Sequence, residues 1–267
     1  MHSKWRLLLQ PRLPGYRQMA IDETLYRLAE PDTRPVVRFY SWDHPTLSLG
    51  YFQDYKRVVC EPFCVHNKID VVRRITGGRA VLHHDEVTYA IIAPLQYVFE
   101  GRSLQETYQL IAEALNLGLQ NFGLDQTSIF AGDTGTSRRE SRLPQCFVSV
   151  SQYEHVSNSR KVIGSAQKRS RDRFLQHGSI LLDFDPHLQQ GCVNHPDPQI
   201  ESRIAPLNRM LHRRLEFRET ADQFAGALEA KFGIRFELSG LSAKEERLAS
   251  ELERKYCDGE WTRGSCK

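Results

Sequence analysis

The segment Val87–Pro94, VTYAIIAP, leaves this chain few choices. It is apolar, rich in β-branched and aromatic residues, free of charge and stopped by a proline, so it reads as a strand buried inside a sheet. Runs of similar character recur: SKWRLLLQ near the start, VVRFYSW and TLSLGYFQ separated by the turn signal DHP, IDVVRR and RAVLHH around ITGG, then CFVSVSQYEHV, KVIGSAQKRS and FLQHGSILLDF. Helical spacing interrupts them. Met19, Ile21, Leu25 and Leu28 share roughly one face of 16–30, and Pro31 and Pro35 close that segment. Ser103 and Glu106 form a capping-box pattern ahead of a long helix that runs towards Gly123. From about 219 to 262 the pattern becomes two charged, amphipathic helices. The order predicts an α+β fold, a mixed and largely antiparallel sheet flanked by helices, with residues 1–267 as one domain.

Composition narrows the function classes. With 40% hydrophobic and 26% charged residues in 267, the chain can bury a sizeable core. A formal net charge of +3 is too small to argue for nucleic acid, and aromatics are not interleaved with the basic clusters. No apolar run reaches membrane length, and LLLQ at 7–10 is too short for a signal peptide core. A cytoplasmic protein with reduced thiols is expected. The six cysteines (60, 64, 146, 192, 257, 266) form no paired metal knuckle, so no metal is expected.

Three stretches could carry chemistry. In RRITGGRAVLHHDEVTY, Gly77 and Gly78 lie between strand-like runs and are flanked by Arg73, Arg74, Arg79, His83 and His84. The pair is either an ordinary hairpin turn or a loop whose free N–H groups meet a ligand oxygen; it is neither a P-loop nor a dinucleotide fingerprint. In RKVIGSAQKR, Lys161 is either a solvated strand end or a cation aimed into a pocket, and Gly164 and Ser165 inside a strand suggest close approach by a ligand or backbone. His177, in LQHGSI, has the usual structural reading of a lone histidine. Cys146 sits between the loop AGDTGTSRRESR (131–142) and a strand-like run. It is either a small apolar filler or a displayed nucleophile.

Taken together, RRxTGGRAVLHxxExTY, Cys-Phe followed by Tyr-Glu seven and eight residues on, and RKxxGSAQxR…LQHGSI resemble the lipoate/biotin protein ligase superfamily, most closely its LipM-type cysteine-dependent octanoyltransferases. MAIDE (19–23), LSLGYFQ (47–53) and KYCDGEW near the end extend the resemblance across about residues 5–262. It implies a biotin/lipoate ligase catalytic-domain fold, akin to class II aminoacyl-tRNA synthetases, working as a monomer without cofactor. It implies transfer of octanoyl from acyl carrier protein to a lysine of the glycine cleavage H protein or a lipoyl domain. Cys146 would be the nucleophile and Lys161 its pocket lysine, with Arg73, Arg74, Thr76, Gly77, Gly78, His83, Gly164, Ser165, Gln176, His177 and Gly178 holding substrate. Val72, Val81 and Tyr89 are expected to help line a slot for the acyl tail.

Two departures stand out. VSQYE replaces the family's Pro-Ser before Tyr-Glu, so the Cys146 loop is expected to take its own path. Cys192 lies where another octanoyltransferase branch keeps its nucleophile, although QQGCVNHP reads as a helix end. Alternatives are an ATP-dependent lipoate ligase, whose SGGGAVYHD-x-GN differs from TGGRAVLHHDEVT here, an octanoyl amidotransferase between lipoyl-accepting proteins, and a non-catalytic binder of acylated carriers. The clusters SRRESR (137–142) and QKRSRDR (167–173) are either solvated faces or a basic rim that steers acidic carrier proteins.

Overall fold

The computed structural model describes residues 4–130 and 155–264. Its strands are β1 (Lys4–Leu13), β2 (Val36–Trp42), β3 (Thr46–Leu49), β4 (Asp70–Arg73), β5 (Val81–His83) and β6 (Glu86–Pro94), then β7 (Thr127–Ile129), β8 (His155–Ser157), β9 (Arg160–Arg169), β10 (Arg173–Leu181) and β11 (Arg235–Leu238). The helices are α1 (Gly15–Leu28), α2 (Tyr55–Val58), α3 (Glu61–His66), α4 (Leu104–Gln120) and α5 (Pro186–Gly191), then α6 (Ile200–Arg203), α7 (Leu207–Leu211), α8 (Phe217–Phe232), α9 (Ala243–Cys257) and α10 (Gly259–Arg263). No helix among the described residues is long and apolar enough to cross a membrane.

The segment with no polar face became the centre of the molecule. Every residue of β6 is buried, and β6 pairs antiparallel with β2 on one side and β10 on the other. The main sheet runs β11-β1-β2-β6-β10-β9-β8-β7. Its β1 pairs are parallel, and the others are antiparallel. Strand alternation then sorts β6 between two layers. Val87, Tyr89, Ile91 and Ala93 pack with Ile111, Leu115, Phe224 and Leu228 of α4 and α8. Ala90 and Ile92 face α1 and α9, with Met19, Leu25, Ala249 and Leu252. Each fully buried aliphatic side chain in such a layer contributes ~1.5–3 kcal/mol. The helices hold where the sequence marked them: Ser103 and Glu106 form a complete capping box on α4, and Ser242 with Glu245 repeats it on α9.

A second sheet, β4-β3-β5, lies beside the first. Here the structure corrects the hairpin reading of Gly77-Gly78. β4 and β5 do not pair with each other, because β3 lies between them, parallel to β4 and antiparallel to β5. The glycine segment is therefore a crossover loop. TLSLGYFQ is also shorter as a strand than expected: β3 ends at Leu49, and Gln53 N–H bonds Gly50 O at 3.0 Å to close a turn. The run CFVSVSQYEHV lies mostly outside the described residues, and its last two residues, His155 and Val156, open β8.

Candidate active site

Between the main sheet, α1 and the second sheet is a small, partly open cavity of about 40 Å3. Met19 of α1 and Tyr40 of β2 form one side, and Ser48, Val81 and His83 of the small sheet form another. Arg74 and Gly78 come from the crossover loop, and Thr88, Gly164, Ser165, Ala166, His177, Gly178 and Ser179 come from β6, β9 and β10. Gly164, Ala166 and Gly178 on adjacent strands leave little side-chain bulk on that part of the wall.

Arg74 is the hub of the wall. Its Nε donates to Thr76 Oγ1 (3.1 Å), one terminal nitrogen donates to Ser48 Oγ and Ser48 O (3.0 Å each), and the other donates to Gly77 O (2.8 Å) and Arg79 O (2.7 Å). Because Arg74 supplies a proton to each hydroxyl, Thr76 turns its own hydrogen to His177 Nε2 (2.8 Å), and Ser48 turns its own to His83 Nε2 (2.8 Å). The opposite ring nitrogens meet carboxylates, His177 Nδ1 at Asp22 Oδ2 (2.9 Å) and His83 Nδ1 at Glu86 Oε1 (2.8 Å). For a neutral His177 this arrangement places the proton on Nδ1, and His83 has the same pattern of partners.

The flanking groups hold the carboxylates ionised. Burial pushes Asp22 up, but Arg38 and His177 outweigh it and leave the carboxyl below its ordinary range. Burial likewise opposes Glu86, and His83, Ser179 and Thr88 outweigh it. Burial pushes His177 below its ordinary value against the pull of Asp22, so the ring is neutral at pH 7. Arg38 also pairs with Asp22 and lies over the Tyr40 ring at 4.1 Å, while Tyr40 OH donates to Asp22 Oδ2 at 3.0 Å. Trp42 stacks on His83, with centroids 4.0 Å apart, and donates to Thr88 Oγ1 at 2.9 Å. Behind the wall, Arg38 and Asp22 thus form a buried, hydrogen-bonded ion pair.

The crossover loop touches a second turn. A Cβ on Gly50 would lie 1.9 Å from Gly78 O, so glycine is required where the two loops meet. Gly78 itself has φ +90°, in the region that favours glycine. Arg73 does not line the cavity. Its guanidinium donates to Gly50 O (3.2 Å), Tyr51 O (2.9 Å), Gln53 O (2.6 Å), Trp261 O (3.2 Å), Thr262 O (2.8 Å) and Gly264 O (3.1 Å), tying the 50–53 turn to the C-terminal helices.

Of the residues singled out in the sequence, Arg74, Gly78, His83, Gly164, Ser165, His177 and Gly178 line the cavity, while Thr76 and Gly77 bond its wall. Gln176 points to the other face of the sheet, donating to Tyr89 OH at 3.0 Å, and Tyr89 OH in turn meets Ser165 Oγ at 2.7 Å. Gly178 must be glycine, since a Cβ there would come within 2.5 Å of Gly164 O and 2.7 Å of Tyr89 Cε1. Of the three expected slot residues, Val81 lines the cavity, Val72 belongs to the layer under α1, and Tyr89 to the layer under α4. Lys161 is no solvated strand end: it is fully buried at a β9 bulge, and its carbonyl accepts Ala205 N–H at 2.9 Å. It is not among the cavity-lining residues. Cys146 lies outside the described residues.

Cys192 follows α5 as its C-cap and is wholly buried, its thiol directed at Gln189 O (3.5 Å). Burial raises its pKa far above the thiol range, which leaves it inert. Burial also pushes Cys64 up to about 12. The basic cluster at 167–173 is partly structural. Arg169 bonds Arg102 O (2.6 Å) and Thr107 Oγ1 (3.1 Å), and Arg173 bonds Arg27 O (2.6 Å) and Asp172 (3.0 Å). The cluster at 137–142 lies outside the described residues.

The sequence reading gave no role to Asp22, Tyr40, Ser48, Glu86, Thr88 or Ser179. Asp22 had a signal, being three residues after Met19 on the apolar face of α1, where a carboxylate needs a buried partner. Glu86, three residues after His83, had another.

Residues 14–229 match the model of the lipoyl protein ligase A/B catalytic domain. Octanoyltransferase LipM of Carboxydothermus hydrogenoformans is 36% identical over 268 residues, spanning 96% of this chain and 97% of that protein. LipM of Bacillus subtilis is 34% identical over 271 residues, spanning 96% and 97% respectively. In fold, the chain is similar to lipoate-protein ligase A bound with ATP, with TM-score 0.85, 22% identity, and 98% and 100% of the two chains covered. It is also similar to the bipartite lipoate protein ligase of Thermoplasma acidophilum, with TM-score 0.82, 23% identity, and 100% and 98% covered.

Proposed function

The chain belongs to the lipoyl protein ligase A/B catalytic-domain family, and from that premise we propose that it is an octanoyltransferase of lipoate biosynthesis that works through an enzyme thioester. Similarity to octanoyltransferases along nearly its whole length carries the activity. The cavity is compatible with it: Met19, Val81, Gly164, Ala166 and Gly178 are among its lining and offer apolar contact for an unbranched acyl chain.

In the proposed first step the Cys146 sulfur attacks the thioester carbonyl of octanoyl-acyl carrier protein. A C–S bond to Cys146 forms, and the C–S bond to the carrier breaks. The carrier thiolate leaves and takes up the proton that Cys146 released, and the proposed role of the Lys161 ammonium is to favour the thiolate electrostatically. One thioester replaces another, so no ATP is needed. In the second step a lysine amine of the glycine cleavage H protein or a lipoyl domain attacks the acyl-enzyme. A C–N bond forms, Cys146 leaves as thiolate, and the amine's proton returns to it. Backbone N–H groups near Gly77 and Gly78 are our candidates for the oxyanion site. Arg74, Thr76, His83, Gly164, Ser165, His177 and Gly178 hold the acyl group, while Arg73 and Gln176 act behind them. The chain works as one catalytic domain, which the packing of α8 and α9 on opposite faces of one sheet supports. A compartment that keeps thiols reduced, the cytoplasm, suits the nucleophile.

The experiment supplies an apo lipoyl domain with either octanoyl-acyl carrier protein alone or octanoate with ATP and magnesium. Modification of the domain from the carrier alone is expected. Modification only from octanoate with ATP would replace this reading with ATP-dependent ligation.

A further inference from the structure

Phe52 is 76% exposed, the most exposed of the large hydrophobic residues described. Its turn is nonetheless held on every side. Arg73 grips the carbonyls of Gly50, Tyr51 and Gln53, Tyr51 N–H bonds Thr76 O at 2.9 Å, and Gly50 N–H bonds Gln53 Oε1 at 3.0 Å. The Tyr51 ring meets Phe52 edge-on at 4.9 Å and Trp261 at 5.9 Å. A fastened turn that presents an aromatic ring to solvent has the form of an interface anchor. Its position is equally specific. The turn abuts Gly78 of the cavity wall, where the Gly50 contact leaves no room for a side chain.

The surroundings are basic. Lys168 Nζ lies 5.6 Å from the Tyr51 ring, and Lys56 and Arg57 are exposed just after the turn. The nearby Asp54 carboxylate is occupied in capping Arg57 N–H at 3.0 Å.

We propose that Phe52 and its basic surroundings are the docking site for the acyl-accepting protein, which presents an acidic face with an apolar socket beside its target lysine. This rests on the octanoyltransferase reading. Reach selects the acceptor over the donor. A lysine side chain is only four carbons long, so its protein must seat against residues that border the cavity. A carrier's long prosthetic arm can reach in from further away.

The test separates the two half-reactions. Wild type, Phe52→Ala and Phe52→Tyr are first acylated with an octanoyl thioester of N-acetylcysteamine, and formation of the acyl-enzyme is followed by mass. Each acyl-enzyme is then mixed with apo lipoyl domain or with hydroxylamine, which needs no docking. Phe52→Ala is expected to acylate and to react with hydroxylamine at the wild-type rate. Its transfer to the lipoyl domain at subsaturating concentration should slow about 10-fold or more, the cost of truncating an aromatic anchor. Phe52→Tyr should transfer normally, and added salt should slow transfer in wild type. Unchanged transfer in Phe52→Ala overturns the proposal. Acylation by octanoyl-acyl carrier protein that slows while transfer does not would assign the surface to the donor and also overturn it. Failure of wild type to form any acyl-enzyme would instead overturn the underlying octanoyltransferase reading.

Discussion

His155 lies where the chain re-enters the described region as β8, and it should make stability fall in mild acid. Its Nε2 donates to Ala112 O of α4 at 2.8 Å, and its Nδ1 is buried with no hydrogen-bond partner among the described residues. Burial pushes its pKa down to about 4, against the pull of the Ala112 bond. In the unfolded chain the same ring titrates near ~6.5. Between those values the unfolded state binds a proton that the folded state refuses, so stability is full above the unfolded pKa and declines as pH falls towards the folded one. Linkage puts the loss between pH 7 and pH 5 at about 2 kcal/mol from this ring alone. His155→Gln keeps an N–H for Ala112 O and removes the titration. Urea unfolding of wild type and variant at both pH values isolates the ring, because the other acid-sensitive groups, His177 among them, are common to both. Wild type should lose about 2 kcal/mol more than the variant over this interval. Equal losses would refute the buried neutral ring, and with it the fastening of β8 to α4.

Gly50→Ala forces a Cβ against Gly78 O and should cost ~1–3 kcal/mol in unfolding free energy, together with slower acyl-enzyme formation as the crossover loop is displaced. Arg74→Met strands five hydrogen-bond acceptors and should lower stability by at least ~1–3 kcal/mol in denaturant unfolding, the cost of leaving a buried acceptor unsatisfied. Cys192→Ser should leave the rate of acylation unchanged in a mass-based time course, because the thiol is buried and inert.

The fold was legible where local pattern and tertiary environment agree. VTYAIIAP had to be an interior strand, and the Ser103–Glu106 box and the apolar stripe of α1 marked their helices. The pairing of β4 with β3 rather than β5 was not legible, since paired glycines between strand-like runs serve a hairpin and a crossover equally well. The site divided in the same way. Motif residues around Gly78, Gly164 and His177 converge on one cavity, yet adjacent arginines diverge: Arg74 builds the wall while Arg73, one residue away and on the other face of its strand, clamps backbone carbonyls. The hydrogen-bond partners of the two histidines, Asp22 and Ser48, come from α1 and β3, and no spacing within the glycine motif announces them.

Intact-protein mass after mixing with octanoyl-acyl carrier protein, without ATP, tests the central claim most directly. Wild type, Cys146→Ser and Cys192→Ser are compared, with hydroxylamine to reveal a thioester. The account expects one hydroxylamine-labile octanoyl adduct on wild type and Cys192→Ser and none on Cys146→Ser. An adduct that persists in Cys146→Ser, or no adduct on wild type while the lipoyl domain is still modified, would contradict it.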